Sequence, residues 1–182
     1  VSKEDAMEMM IDDVVENVIR FVDKIDKPDI DYIEQLAFTL QNVLKNKKNS
    51  YVHGYLLFSY LSEYIDNYVD NERNKCHSLN IVDIGTARGF SALCLAKALN
   101  NKNVNGRIFT FDILPNRTSF FWNAYTDISE GPLSRIDLLK PWHELVNKYL
   151  VFFQTGTFNS LKVVDIPNIN FAFVDGSHFF KD

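Results

Sequence analysis

Apolar side chains recur along the first part of the chain at the three- and four-residue spacing of amphipathic helices. Residues 3–25 show this spacing, a second helix is predicted to begin at Pro28, and a third is predicted from Ser50 to Val69. Helices that pack against a core need such an apolar stripe, and proline is tolerated in a first helical turn. The pattern predicts an N-terminal helical segment over residues 1–75, which serves as a cap or a dimerisation surface.

From residue 76 onward the pattern changes to short apolar runs that alternate with helix-like segments. Strands are predicted at 80–85, 106–113, 149–156 and 169–176, with a helix at 90–99 and a partly helical stretch at 114–148. Runs that are apolar almost throughout are typical of parallel strands buried on both faces. We therefore predict an α/β fold over residues 76–182: a Rossmann-like, doubly wound, mostly parallel sheet with helices on both faces.

The handedness of the connections predicts the order of the strands. Right-handed crossovers place the second and third strands on one side of the first strand, and the fourth strand on the other side. The crevice between the first and fourth strands is then the switch point at which ligands bind in such sheets. Gly85 and Asp175, which follow these two strands, are expected to face each other across it.

Composition narrows the classes of partner and compartment. The 182 residues carry a formal net charge of -5, which disfavours a phosphate-binding surface and hence a nucleic-acid partner. Cys76 and Cys94 have no metal or disulfide spacing and are interpreted as free thiols in a reducing compartment. No signal peptide and no apolar run of the roughly 20 residues that cross a membrane is recognisable. We expect a cytoplasmic protein without a membrane partner.

The loop after the first predicted strand carries the clearest chemical signal. Gly85 and Gly89 end the strand and begin a helix, whose unpaired amides can bind a polar group. Their G-x-x-x-G spacing, with Ala87 between them, fits neither a dinucleotide fingerprint nor a phosphate-binding P-loop. Asp83, two residues before the first glycine, suits a cationic amine. Arg88 is expected to face solvent.

A second carboxylate ends the second predicted strand. Asp112 lies 23 residues beyond Gly89, at a position where an acid can accept the two hydroxyls of a ribose. An amine and a ribose together describe S-adenosylmethionine better than NAD. Two alternatives stay open: an NAD-type oxidoreductase, and a non-catalytic module for cofactor binding or assembly.

Three stretches resemble known methyltransferases. "VDIGTARGFSALCLA", followed by "GRIFTFDI", resembles motifs I and II of class I S-adenosylmethionine-dependent methyltransferases. "HGYLL" is similar to a segment that precedes motif I in catechol-type and caffeoyl-CoA O-methyltransferases. "INFAFVDGSHFF" resembles the fourth-strand motif of the group that contains macrocin O-methyltransferases and cephalosporin-hydroxylase-like proteins.

The resemblance implies a set of cofactor contacts. Asp83 would approach the methionine amino group, the backbone of the glycine loop would surround the methionine part, and Asp112 would bind the ribose. Ile113 would pack on the adenine, close to the turn after the third strand. The cofactor-binding residues are therefore predicted to be Asp83, Gly85, Thr86, Gly89, Asp112, Ile113, Gly156 and Thr157.

The resemblance also implies a reaction. Asp175 matches a metal-binding aspartate of the catechol type, and a divalent ion such as Mg²⁺ would acidify the acceptor hydroxyl. His178 matches a basic residue that accepts the hydroxyl proton, a role that suits the pKa of imidazole. Asp-Gly-Ser-His stands where base N-methyltransferases carry a proline-rich motif. We expect O-methylation of a small-molecule or sugar hydroxyl.

The resemblance further implies a sheet of seven strands, of which four are recognisable. We therefore expect C-terminal strands to be missing from this sequence. A buried fourth strand at the edge of a sheet is otherwise avoided in natural proteins. If the chain is complete, a homodimer is expected to cover that edge.

Overall fold

A computed structural model describes residues 19–20, 22–44, 51–69, 78–156 and 164–176. The helices are α1 (Lys27–Leu40), α2 (Val52–Val69), α3 (Phe90–Asn101), α4 (Thr126–Ser129), α5 (Arg135–Leu138) and α6 (His143–Tyr149), with a short 3-10 helix at Lys140–Trp142. The strands are β1 (Leu79–Ile84), β2 (Gly106–Asp112), β3 (Leu150–Gln154) and β4 (Ile169–Val174). The four predicted strands are confirmed. Most of the helix predicted at 3–25, and the boundary at 75–76, lie outside the described residues.

The strands form one parallel sheet in the order β3-β2-β1-β4. Ile81 of β1 pairs with Ile108 of β2 on one side and with Phe171 of β4 on the other. This order is the one predicted from right-handed crossovers. Because all pairs are parallel, the carboxyl ends of the strands lie along the same edge of the sheet.

The main hydrophobic core lies between the sheet and the helices. Leu36 of α1, Leu61 of α2 and Leu93 of α3 are fully buried together with Ile81 and Ile108 of the sheet. Each such side chain contributes roughly 1.5–3 kcal/mol of hydrophobic stabilisation. The described part of the N-terminal helical segment therefore shares its core with the sheet. Its proposed roles as a cap or a dimerisation surface stay predictions.

The opposite face of the sheet carries a smaller cluster. Val82, Ile84 and Phe111 are buried there, with Val164 and Ile166 packed against them. The two outer strands are only partly buried, so the prediction of full burial was wrong for β3 and β4. A strand with one neighbour has less of its surface covered than β1 or β2. Part of the β3–β4 connection, residues 157–163, lies outside the described residues.

Two of the expectations drawn from composition concern the cysteines and a membrane-spanning helix. Cys94 is a free thiol fully buried in α3, whereas Cys76 lies outside the described residues. None of the described helices combines the length and apolar character that crossing a membrane requires.

The segments that follow β1 and β4 stay in close contact beyond the carboxyl ends of these strands. The Asp175 amide donates a hydrogen bond to the Ile84 carbonyl over 2.8 Å, and the chain then turns at Gly85 with φ +90°. A Cβ atom at Gly85 would lie 1.9 Å from the carbonyl oxygen of Asp175. The predicted facing of Gly85 and Asp175 is confirmed, and the contact itself excludes any side chain at position 85.

We expect the substitution Gly85→Ala to destabilise the fold severely. It adds left-handed strain to an overlap with backbone that cannot move aside, together more than about 3 kcal/mol. Gly131→Ala is the matched control, because Gly131 has φ +74° but no atom of the described residues lies within 4 Å of its Cβ position. That variant should lose only the strain, about 1 kcal/mol. Urea unfolding measures both, and equal losses would contradict the steric explanation.

Candidate functional site

The predicted site residues gather at the carboxyl edge of the sheet. The glycine loop, residues 85–89, follows β1, Asp112 ends β2, and Asp175 follows β4. The loop contacts both of its neighbours, since the Ala87 amide donates to Asp112 and Gly85 abuts Asp175. Two predicted residues, Thr157 and His178, lie outside the described residues.

Asp83 is a buried carboxylate beneath the loop. Strand alternation places its side chain on the same face of β1 as Ile81, towards α3, with 0% exposure. Among the residues that the structure describes, neither carboxylate oxygen has a hydrogen-bond partner of good geometry. Burial raises the pKa of Asp83 to about 6, although the hydroxyls of Ser91 and Thr86 partly oppose this shift. A buried acid without a partner is costly, and a cationic ligand would relieve that cost.

The glycine loop is strained at Ala87, the residue midway between its two glycines. Ala87 has φ +44°, a left-handed conformation that costs an alanine roughly 1–2 kcal/mol. The loop continues to Gly89, at φ +95°, whose amide donates to the Thr86 carbonyl over 2.7 Å. Ala87 therefore keeps a left-handed backbone conformation between the two glycines, and this conformation is strained for an alanine.

Asp112 is held by its own chain on both carboxylate oxygens. Oδ2 accepts a hydrogen bond from the Ala87 amide over 2.5 Å, and Oδ1 accepts one from the Leu114 amide over 2.7 Å. Oδ2 also lies 3.4 Å from a guanidinium nitrogen of Arg135. The predicted ribose-binding acid is thus fixed in orientation before any ligand binds.

Arg135, at the start of α5, is a member of the site that sequence reasoning missed. It is 1% exposed, and its Nε donates to the Ala87 carbonyl over 2.7 Å. Its Nη1 donates to the Oδ1 atom of Asn116. Burial lowers the pKa of Arg135, while the charges of Asp112 and Asp83 oppose that shift. This one guanidinium joins the glycine loop, the end of β2 and the segment after it.

The predicted adenine contact is an exposed apolar surface. Ile113 is 69% exposed, which is unusual for a residue that directly follows a central strand. A Cβ atom at Gly156 would lie 3.8 Å from the Ile113 side chain. The structure therefore brings these two predicted residues together beside Asp112.

Arg88 differs from the prediction of a solvent-facing residue. Its side chain is half-buried, and Nη1 donates to the carbonyl of Asn42 over 2.9 Å. Burial lowers the pKa of Arg88, and the charge of Asp127 opposes this shift. The loop is thereby tied to the segment after α1.

His53 also has partners that the sequence did not indicate. Its ring packs edge-on against Phe90, with 4.8 Å between the ring centroids, and its Nε2 lies 3.4 Å from Nε2 of Gln41. Burial lowers the pKa of His53, while the charge of Asp175 opposes this shift. His53, in α2, therefore packs beside the start of α3, on the glycine-loop side of the molecule.

The aromatic residues between β2 and β3 divide into two groups. Phe120 and Trp122 pack into the main core, and their ring centroids lie 4.1 Å apart. Phe121 and Tyr125 are exposed. Phe120 and Trp122 therefore pack on the core, whereas Phe121 and Tyr125 are available at the surface.

No cluster of metal ligands is present in the part of the chain that the structure describes. No three His, Cys, Asp or Glu side chains come together there in a group that could hold an ion. Asp175 is exposed at the end of β4. Its role as a metal ligand stays a prediction.

Solved structures with a similar fold include two methyltransferases. The S-adenosylhomocysteine-bound methyltransferase PaMTH1 of Podospora anserina shares 15% identity over 87% of this chain and 54% of its own, with a TM-score of 0.45. A Klebsiella pneumoniae protein classed as an O-methyltransferase shares 15% identity over 89% of this chain and 59% of its own, with a TM-score of 0.46. The chain thus spans little more than half the length of either structure.

A comparison with the curated proteins finds no match. A family described as "Methyltransferase domain" matches residues 82–182, a range that begins in β1 and includes the glycine loop, Asp112 and Asp175. The match covers more than half of the 182 residues and agrees with the parallel sheet and with motifs I and II. The chain therefore belongs to this methyltransferase family, within the class I S-adenosylmethionine-dependent methyltransferases.

Proposed function

We propose that the chain binds S-adenosylmethionine at the carboxyl edge of its sheet and transfers the methyl group to a hydroxyl of a small molecule or sugar. The observation that carries this proposal is the buried carboxylate of Asp83 beneath the glycine loop, whose two oxygens have no hydrogen-bond partner of good geometry among the described residues. A nearby cation would stabilise such a buried carboxylate, and the cofactor carries a cationic ammonium group.

The remaining contacts follow from the positions of the site residues. Asp112 is oriented to accept a ribose hydroxyl, and the exposed side chain of Ile113 offers an apolar surface to the adenine. The backbone of Thr86 and Gly89 surrounds the methionine part. When bound, the cofactor supplies an electrophilic methyl group. The chain's own task is to align that group with the acceptor and to remove a proton.

The proposal that the methyl acceptor is a hydroxyl is based on the sequence around Asp175. Asp-Gly-Ser-His at 175–178 departs from the proline-rich motif of base N-methyltransferases, and the net charge of -5 disfavours nucleic acid. His178 is the proposed proton acceptor and Asp175 the residue that orients the acceptor or binds a metal. Both roles come from the resemblance to the catechol type.

The first test is the binding of S-adenosylhomocysteine by calorimetry. We expect Ile113→Ala to weaken binding by about tenfold, because an adenine ring would lose roughly 1–2 kcal/mol of apolar contact. Ile169→Ala is the control: Ile169 is 49% exposed but begins β4, at the opposite edge of the sheet. Equal affinities of parent and Ile113→Ala would contradict the adenine contact. Binding of NAD, with no response to S-adenosylhomocysteine, would instead favour an oxidoreductase.

A second test uses the titration of Asp83. Its pKa is raised to about 6 by burial, with Asp112 adding to the shift and Arg135 opposing it. Pairing with the ligand's ammonium group requires the ionised form, so affinity should fall as the pH falls from 7 to 5, approaching tenfold per pH unit below the pKa. Asp83→Asn should bind more weakly at pH 7 and lose this dependence. A parent affinity that is the same at pH 5 and pH 7 would contradict the pairing.

A third test concerns turnover. Formation of S-adenosylhomocysteine should be detected with members of a panel of sugars, phenols and other small hydroxyl compounds, but not with DNA or RNA. His178→Ala should lower that rate by roughly 10²- to 10⁴-fold while leaving the affinity for S-adenosylhomocysteine nearly unchanged. Cofactor binding without turnover on any hydroxyl would favour the non-catalytic module.

A further inference from the structure

We propose that Arg135 is a positioning residue of the cofactor site, one that fixes the ribose-binding carboxylate of Asp112 and the strained centre of the glycine loop as a single unit. This inference rests on the proposed function and extends it to a residue outside the methyltransferase motifs.

The contacts of Arg135 are directed at the backbone of the loop as well as at Asp112. Nε donates to the Ala87 carbonyl over 2.7 Å, and Nη2 lies 3.4 Å from Oδ2 of Asp112. Asp112 in turn accepts the Ala87 amide over 2.5 Å. The peptide groups on both sides of the Ala87 Cα are therefore held, one by the carboxylate and one by the guanidinium. Ala87 is the loop residue with φ +44°, so these bonds maintain a conformation that alanine alone disfavours.

The same contacts give the two carboxylate oxygens of Asp112 different partners. Each carboxylate oxygen offers about two acceptor positions. Oδ2 faces both the Ala87 amide and Arg135, whereas Oδ1 has only the Leu114 amide, at 2.7 Å, among the described hydrogen-bond donors. The position left for a ribose hydroxyl is thus on Oδ1, while Oδ2 anchors the loop. Removing the guanidinium would free the Ala87 carbonyl and leave Oδ2 with the Ala87 amide alone among the described donors, so the loop and the carboxylate would be held together less firmly.

Arg135 is also buried well enough to act in this way. Its side chain is 1% exposed and that of Asp112 is 8% exposed, so water does not screen their interaction. The Trp122 ring, in the same β2–β3 connection as Arg135, covers the guanidinium, with 5.8 Å between the ring centroid and the guanidinium carbon. Asn116 accepts from Nη1 and fixes the plane of the guanidinium. A lysine at this position could not satisfy the Ala87 carbonyl, Asn116 and Asp112 together, because an ammonium group lacks the planar fork.

The test is the affinity for S-adenosylhomocysteine, measured on the whole chain at a temperature at which each variant is folded. We expect Arg135→Met to bind at least tenfold more weakly than the parent, and Arg135→Lys to recover only part of that loss. Lys97→Met is the matched control, because Lys97 pairs with Asp29 over 3.1 Å in a partly buried contact between α3 and α1. That variant should lose stability but bind S-adenosylhomocysteine as the parent does.

Double-mutant cycles separate positioning from a general loosening of the fold. The losses from Arg135→Met and Asp112→Asn should not add, because both act on the same carboxylate. The losses from Arg135→Met and Ile113→Ala should add, because Ile113 contacts the adenine independently. If Arg135→Met cannot be folded, Arg135→Lys replaces it in both cycles.

Three outcomes would overturn the inference. Arg135→Met and Arg135→Lys could bind within twofold of the parent, or the control Lys97→Met could lose as much affinity as Arg135→Met. The cycle with Asp112→Asn could also be additive. Each of these requires that the parent binds S-adenosylhomocysteine. A parent that does not bind it overturns the proposed function, and the role of Arg135 with it.

Discussion

The backbones of β1 and β4 meet at Gly85, where the carbonyl of Asp175 occupies the space that a side chain would need. This contact sets how far the two strands stay paired and where the chain leaves each of them. The Gly85 amide donates to the Phe111 carbonyl over 2.8 Å, so the same residue is also fixed against β2. The loop, Asp112 and Asp175 can share one edge of the sheet because three strands end around this glycine.

The site built on that edge has an excess of negative charge. In the described part of the chain, Asp83 and Asp112 face one buried guanidinium, that of Arg135, and the two carboxylates raise its tendency to stay protonated. Without a ligand, burial favours the protonated form of Asp83, and the Ser91 and Thr86 hydroxyls and Arg135 oppose this only in part. The proposed cofactor carries an ammonium and a sulfonium group, so its charge is complementary to the excess. The electrostatics and the shape of the loop therefore favour the same class of ligand.

Much of the fold could be predicted from local patterns. Short apolar runs located all four strands, and the handedness of crossovers gave their order, because both depend on rules that act within a few residues or within one connection. Asp83, Gly85 and Asp112 were recognisable because they lie at fixed distances from strand ends. For Gly85, the sequence predicted that Asp175 would face it, but not that the two backbones come so close that no side chain fits between them.

The remaining site residues depend on contacts between distant segments. Arg135 lies 48 residues from Ala87, in a stretch whose pattern gives no reason to single out one arginine. Arg88 was expected in solvent because a loop arginine usually is exposed, yet the segment after α1 passes close enough to bind it. His53 was not recognised as part of the site, because its contact with Phe90 exists only once α2 packs on α3.

The hydrogen bonds from Arg88 and Arg135 that hold the glycine loop limit which positions can be substituted in this family. Arg88 binds the carbonyl of Asn42, and Arg135 binds the carbonyl of Ala87, so in both cases the acceptor is backbone that every amino acid possesses. Positions 42 and 87 can therefore change without loss of these bonds, within the limit that position 87 tolerates a left-handed conformation. The two arginines cannot be substituted without losing these bonds, because their side chains are the donors. Among homologues that share this loop, we expect substitution to be frequent at the acceptor positions and rare at the donors.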